Sequence, residues 1–243
     1  MKIIKIKDSE GSLGKNNGCE KAPDQIIKEL EDIWLTEDFK KIDYFKDECS
    51  KEKIKEGFVY LGGDHSISYH TIKNLAVRSK NFGLIVFDAH ADIYQEFNFP
   101  THGDWLYYLL EEGIIKKENV ILLGIRAVTE REVEYLQKNK IKFYTARQLD
   151  LDRDNICNLI MEKAREFSDL YLSIDIDFLD PAFAPGTGYM EPGGASTRDL
   201  LYFVQKLKLL KNLKAGDIVE VNPDKDINNM TSKAAAKIIG GLL

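Results

Sequence analysis

Short apolar segments alternate with segments of helical periodicity along most of the chain, and this alternation constrains the fold more than any other feature. The predicted strands are Lys2–Ile6, Phe58–Leu61, Phe82–Phe87, Val120–Leu123, Ile141–Tyr144, Leu170–Ile174 and Asp217–Val221. The predicted helices are Asp24–Ile33, Ile67–Arg78, Asp104–Glu112, Thr129–Lys138, Arg153–Phe167, Thr197–Leu210 and Thr231–Leu242. Several strands are apolar without interruption, as expected when both faces of a sheet are covered. The pattern predicts an α/β fold with a mainly parallel sheet between helices.

Four of the predicted strands run directly into polar segments that contain His, Asp or Glu. These segments are Gly62–Ser66, Asp88–Asp92, Asp175–Asp177 and Glu220–Pro223. Ligands of parallel α/β folds bind beyond the carboxyl ends of the strands. The sequence therefore predicts a functional site at that edge of the sheet.

The polar segments have the spacing of metal ligands. In extended chain every second residue projects to the same side, so Asp88, His90 and Asp92 would share a face, and so would Asp175 and Asp177. Carboxylates this close together repel one another unless a cation lies between them. The candidate ligands are His65, Asp88, His90, Asp92, Asp175 and Asp177.

Two divalent cations would balance the charge of these aspartates, with neutral histidines completing the set. Oxygen and imidazole donors without thiolate favour Mn²⁺ over a structural zinc ion. Two such ions about 3.5–4 Å apart can lower the pKa of a water that bridges them. Taken singly, each aspartate would be explained as a cap or turn residue, and His70, on the helix after the Gly-Gly turn, as a structural histidine. The whole set predicts a binuclear hydrolytic site.

Composition narrows the class of protein. The chain of 243 residues has a formal net charge of −6, which argues against a nucleic-acid partner. Cys19, Cys49 and Cys157 form no CxxC pair or disulfide framework, and no segment has the apolar character of a signal peptide or a membrane span. We expect a cytoplasmic protein without a membrane partner. The charge run Lys46–Lys55 is expected to be a solvated loop or helix face.

Several motifs together resemble the ureohydrolase family of arginase and agmatinase. They are GGDHS (62–66), DAHAD (88–92), HG (102–103), GIR (124–126), SIDIDFLDPAFAPGTG (173–188), PGG (192–194), EVNPDKD (220–226) and TSKAAAKII (231–239). They follow the family's order from about Val59 onwards. The resemblance implies a single ureohydrolase domain over residues 1–243, a three-layer αβα fold with about eight strands, and a homo-oligomer, either trimer or hexamer.

The resemblance also implies a role for each site residue. One Mn²⁺ would be held by His65, Asp88, Asp92 and Asp175. The second would be held by His90, Asp88, Asp175 and Asp177, so that Asp88 and Asp175 bridge the two ions. Glu220 matches the glutamate that pairs with the substrate's guanidinium group, and His102 matches the histidine that passes a proton to the leaving amine. The carboxylate of Glu220 can accept two parallel N–H bonds from a guanidinium group. The near-neutral pKa of an imidazole suits proton transfer by His102.

The loop DPAFAPGTG and the segment GIRAVTEREVEYL look more like agmatinase than arginase. In the predicted tail-recognition segment, Ile93–Thr101, Gln95, Asn98 and Thr101 could donate hydrogen bonds, but Glu96 would repel the α-carboxylate of arginine. The favoured substrate is therefore agmatine, a small guanidine that would yield urea and putrescine. Arginase or guanidinobutyrase activity and a non-catalytic metal-binding homologue are alternatives, as is a deacetylase-like hydrolase with one zinc ion.

Two features depart from the family pattern. Tyr189 and Met190 stand where a threonine and a proline are common, and a tyrosine there would narrow the pocket. The N-terminal region is short, and only Gly18–Ile27 is similar to the family's entry segment. Arg126 is expected to make a structural ion pair rather than to act in catalysis.

Overall fold

The computed structural model describes residues 2–33, 46–48 and 56–242 of the chain. Eight strands form one sheet in the order β2-β1-β3-β8-β7-β4-β5-β6, and neighbouring strands are parallel. The strands are β1 (Lys2–Lys5), β2 (Lys46–Glu48), β3 (Phe58–Leu61), β4 (Phe82–Phe87), β5 (Val120–Ile125), β6 (Lys142–Thr145), β7 (Asp169–Asp175) and β8 (Leu213–Val219). The predicted parallel sheet of about eight strands is confirmed.

Helices cover both faces of this sheet. They are α1 (Ala22–Glu31), α2 (Ile67–Ala76), α3 (Trp105–Glu111), α4 (Glu130–Lys138), α5 (Ala146–Ala164), α6 (Thr197–Leu207) and α7 (Met230–Leu242). Successive residues of a strand enter opposite cores: Ile85 and Phe87 pack with α1, α5, α6 and α7, whereas Leu84 and Val86 pack with α2, α3 and α4. The three-layer αβα architecture follows from this division. Within the described ranges, no helix combines the length and apolar character needed to cross a membrane.

The four strands that end in polar segments are neighbours at the centre of the sheet. They are β3, β8, β7 and β4, in that order. Because the strands are parallel, their carboxyl ends meet at one edge, where segments distant in sequence come together. The sheet therefore gathers the candidate ligands at one place.

Two sequence predictions differ from the structure. Residues Lys46–Glu48 form β2, which pairs in parallel with β1, so the loop or helix expected there is wrong; the rest of the charge run, including Cys49, lies outside the described residues. Helix α5 begins at Ala146, before the predicted start at Arg153. Asp152 has a non-helical conformation that interrupts α5, and the helical pattern visible in the sequence resumes beyond it. Cys19 and Cys157 are buried free thiols.

Candidate metal centre

The first candidate metal group surrounds the imidazole of His65. Its Nδ1 atom lies 3.2 Å from Asp88 Oδ2, 3.0 Å from Asp92 Oδ2 and 3.1 Å from Asp175 Oδ2. All four side chains are buried. The loop after β3 brings His65 to this position through Gly63, where an added Cβ would lie 1.8 Å from the carbonyl oxygen of Asp8. Only glycine fits there.

The second candidate group surrounds His90 and shares Asp88 with the first. His90 Nδ1 lies 2.9 Å from Asp177 Oδ2 and 3.4 Å from Asp88 Oδ1. Asp88 therefore presents one oxygen to each group, as a bridging carboxylate would. Asp175 belongs only to the first group, and its Oδ1 accepts a hydrogen bond of 2.8 Å from the backbone N–H of Asp177. The bridging role that the resemblance implies for Asp175 stays a prediction.

The backbone reaches this arrangement by turns rather than by extended chain. Strand β4 ends at Phe87, Asp92 has a left-handed φ of 52°, and the N–H of His90 donates to Asp88 Oδ1 at 2.6 Å. Asp177 lies in a short 3₁₀ helix, Ile176–Phe178. The strand alternation assumed from the sequence is therefore wrong beyond Phe87, although the side chains still converge.

The protonation of His65 can be assigned from the residues behind it. Ser173 Oγ donates to Asp217 Oδ1 at 2.7 Å and lies 2.9 Å from His65 Nε2. Since the hydroxyl proton is already used, Nε2 must carry the imidazole proton and donate to Ser173. Nδ1 then faces three carboxylate oxygens; burial lowers the pKa of His65, but these carboxylates raise it well above its usual value, so positive charge is favoured at this point. Nδ1 and Asp88 Oδ2 are buried without a hydrogen-bond partner in the described part of the chain. These two buried atoms without hydrogen-bond partners fit a cation between them.

The raised pKa values of two carboxyl groups in the cluster also indicate a site for cations. Burial raises the pKa of Asp175 well above its usual value, and the charges of Asp177 and Asp88 raise it further. Burial and the charge of Asp88 raise the pKa of Asp92 to about 7. Divalent cations would offset this repulsion and keep the carboxylates ionised. The oxygen and imidazole donors fit two such ions.

Glu220 and His102 lie beside the cluster. Glu220 follows β8, is buried and has a left-handed φ of 63°. Its Oε1 accepts a hydrogen bond of 2.7 Å from the N–H of His65 and lies 3.8 Å from His102 Nδ1. Burial, with the charge of Asp64, raises the pKa of Glu220 to about 8. Burial lowers the pKa of His102 to about 4, below the near-neutral value assumed from the sequence, so its imidazole is uncharged at pH 7.

A model of the arginase family matches residues 41–243. The chain belongs to the arginase family. It is 37% identical to arginase 1, mitochondrial, of Oryza sativa subsp. indica over 185 residues, which cover 74% of this chain and 52% of that protein. The chain thus spans about half the length of the curated relatives it matches.

Solved structures of arginase-family proteins have the same fold. Formimidoylglutamase from Bacillus subtilis superposes with a TM-score of 0.89 at 26% identity, covering 99% of this chain and 85% of that one. Arginase from Bacillus subtilis superposes with a TM-score of 0.84 at 26% identity, covering 100% and 97%. The arginase-like fold is confirmed, whereas agmatinase specificity stays a prediction.

The metal groups of this arginase-family chain open into a cavity of about 600 Å³. Tyr189, at the departure from the family pattern, stands at this cavity and is 41% exposed. Its ring stacks on His102 with centroids 5.7 Å apart and meets the His90 ring edge-on at 5.9 Å. From the predicted tail-recognition segment, Thr101 and Glu96 line the cavity, together with Tyr94 and Phe97. Tyr189 therefore limits the room above both histidines.

Several residues of the site were missed by the sequence reasoning. Asp217 is a buried acid in the middle of a central strand. Acids are rarely buried there, so its position in the sequence could have indicated a functional or structural role. Trp105 donates from Nε1 to Asp92 Oδ2 at 2.5 Å. Asn16 lies in an N-terminal loop and donates to Glu220, and no local sequence pattern predicts this contact.

Two other sequence predictions concern residues beside the site. Arg126 makes no ion pair within the described ranges; its guanidinium donates to backbone carbonyls, including that of Asp177 at 2.6 Å. The ion pair expected for Arg126 is therefore wrong, although its contacts are structural. His70 lies on α2 with its ring edge-on to Tyr69, outside both metal groups.

Proposed function

We propose that this protein is a binuclear manganese hydrolase that cleaves a guanidinium compound, with agmatine the favoured substrate, to urea and an amine. The observation that carries the proposal is the convergence of the two metal groups, Glu220 and His102 on one cavity. The metals would be held by His65, Asp88, His90, Asp92, Asp175 and Asp177. When bound, two divalent ions would lower the pKa of water and so supply a nucleophile at neutral pH.

The remaining steps belong to the protein's own side chains. The positive charge of a bound guanidinium group would lower the raised pKa of Glu220, so that Glu220 would hold the group as a carboxylate by charge-assisted hydrogen bonds and fix its carbon beside the metal groups. His102 is uncharged at neutral pH and would take up a proton only during the reaction; its lowered pKa makes the protonated imidazole a strong donor to the leaving amine. Tyr189 stacks on His102 and would limit the space beside it on that side of the cavity.

The charge of the cavity supports a substrate with two positive ends. Besides the candidate metal ligands and Glu220, the acids Glu96, Asp104, Glu132 and Glu191 line it, and Lys15 is the basic residue of the lining. Agmatine carries a guanidinium and an ammonium group, both of which suit these acids. Arginine adds a carboxylate, which the acids repel and which only Lys15 would attract.

The test is urea release from agmatine, arginine and guanidinobutyrate by the protein loaded with Mn²⁺. We expect urea release to be fastest with agmatine. We expect the Asp175→Ala variant to release no urea. Faster turnover of arginine would favour the arginase alternative, which the names of the relatives support. Urea from none of the three would contradict the proposal.

Metal content separates the remaining alternatives. The proposal requires two manganese ions per chain, measured by elemental analysis after metal loading and desalting. One tightly bound zinc ion would support a deacetylase-like enzyme, and guanidine binding without urea would support a non-catalytic homologue. We also propose a homo-oligomer without nucleic-acid or membrane partners, for which light scattering gives the subunit number.

A further inference from the structure

The loop Glu10–Gly18 contacts both Glu220, which the proposed function pairs with the guanidinium group, and His102, to which it assigns proton transfer. Gly11 accepts a hydrogen bond of 3.1 Å through its carbonyl from the N–H of His102. Asn16 donates from Nδ2 to Glu220 Oε2 at 2.6 Å. The loop precedes residues 41–243, which match the family model, so these contacts come from outside the matched residues.

The loop is packed tightly against the site. An added Cβ at Gly11 would lie 2.2 Å from Ser66 Oγ and 2.7 Å from Asp64 Oδ1, so the backbone approaches the His65 loop as closely as glycine allows. The N–H of Ser12 donates to Asp64 Oδ2 at 3.1 Å. These contacts hold the loop in place independently of Asn16.

A directed chain of hydrogen bonds orients the Asn16 side chain. The N–H of Asp224 donates to Asn222 Oδ1 at 3.0 Å, which leaves Asn222 Nδ2 to donate to Asn16 Oδ1 at 2.6 Å and to the carbonyl of Asn17 at 2.9 Å. A backbone N–H can only donate, so the orientation of both amides is determined. Asn16 Nδ2 must then face Glu220.

Asn16 holds Glu220 at two points. Its Nδ2 is bonded to the carboxylate at Oε2 and lies 3.2 Å from the carbonyl oxygen of the same residue. Glu220 has a left-handed φ of 63°, a conformation that costs free energy for a residue with a side chain. Asn16 is fully buried, so no water replaces its donor if it is removed.

We propose that Asn16 is a positioning residue that fixes the carboxylate of Glu220 for recognition of the guanidinium group. The inference rests on the proposed function, because it takes Glu220 as the guanidinium partner. With Oε1 held by the His65 N–H and Oε2 held by Asn16, the remaining lone pairs of Glu220 have one fixed direction. A planar cation with paired N–H donors requires such a direction.

The experiment compares Asn16→Ala and Asn16→Asp with Asn17→Ala in the Mn²⁺-loaded protein. Asn16→Asp keeps the shape and the bond from Asn222, but it removes the donor to Glu220. Both Asn16 variants are expected to raise the KM for the guanidine by about tenfold or more, with a smaller change in kcat and unchanged manganese content. Asn17 is exposed, and its variant is expected to stay within about twofold of the wild type.

A second measurement does not depend on catalysis. Thermal unfolding of Asn16→Ala, Glu220→Gln and the double variant tests the contact directly, and we expect the two Tm shifts to be less than additive. Additive shifts, or KM values of both Asn16 variants within twofold of the wild type, would overturn the inference. Absence of urea from the wild type would instead remove the proposed function, and the unfolding cycle would still decide whether Asn16 holds Glu220.

Discussion

His65 Nε2 donates its proton to Ser173 Oγ across 2.9 Å, in the layer directly behind the first metal group. Ser173 Oγ donates a hydrogen bond to Asp217, which also accepts from Ser68 Oγ at 2.6 Å and from the hydroxyl of Tyr171 at 2.7 Å. All these side chains are buried. The network therefore holds His65 in the tautomer that leaves Nδ1 free for a metal ion.

Replacing Ser173 by alanine should weaken metal binding without removing a ligand. His65 Nε2 would lose its acceptor, and the ring would lose both its tautomer preference and its orientation. We expect manganese affinity at the first metal group, which contains His65, to fall by about 10–100-fold, measured by calorimetric titration of metal-free protein. Ser168→Ala is the matched control, because Ser168 precedes the opposite end of β7 and is exposed. Equal affinities of the two variants would contradict the prediction.

The variant Asp217→Asn should destabilise the protein. The amide keeps the size of the carboxylate, but its NH₂ group cannot accept from the buried hydroxyls that donate to Asp217. A buried charged hydrogen-bond network that loses its acceptor costs about 2–4 kcal/mol of unfolding free energy. Urea denaturation measures this loss, and the exposed Asp224→Asn provides a comparison. A loss no larger than that of Asp224→Asn would show that the network is not needed for stability.

The sequence predicted the sheet and the gathering of ligands because both depend on short-range patterns. Apolar segments predict strands, and parallel order places their ends together. It did not predict the left-handed φ of Asp92 or the 3₁₀ turn at Asp177, since these depend on close packing at the sheet edge. Strand β2 was not predicted because its residues are charged and lack the apolar pattern of a strand, although it pairs with β1 at the edge of the sheet. Asn16 was missed because its partner is distant in sequence and only the tertiary fold brings them together.

Tyr189→Thr should change substrate selection. Its ring lies against His90 and His102 at the cavity, so the smaller side chain leaves more room above both. We expect kcat/KM for branched guanidines such as arginine to rise about tenfold relative to agmatine, at the lower end of the 10–200-fold range that a hydrophobic pocket can discriminate. Tyr189→Phe keeps the ring and should retain the wild-type ratio. An unchanged ratio in Tyr189→Thr would show that the ring does not restrict the substrate.

Removal of the metal should lower the thermal stability of the protein. Without cations, the buried carboxylates of Asp88, Asp92 and Asp175 repel one another, and burial already raises the pKa of Asp175 and Asp92. Each manganese ion at 100 times its dissociation constant should add about 2.7 kcal/mol to the unfolding free energy, and the Tm should rise by about 5–10 °C for each ion bound. The measurement is thermal unfolding after chelation and then with added MnCl₂, with Mg²⁺ as the ionic control. Asp88→Asn should lose most of the manganese-dependent rise, because Asp88 presents an oxygen to both groups. A full rise in that variant would mean that the ion binds elsewhere, and no rise in the wild type would mean that the cluster binds no metal.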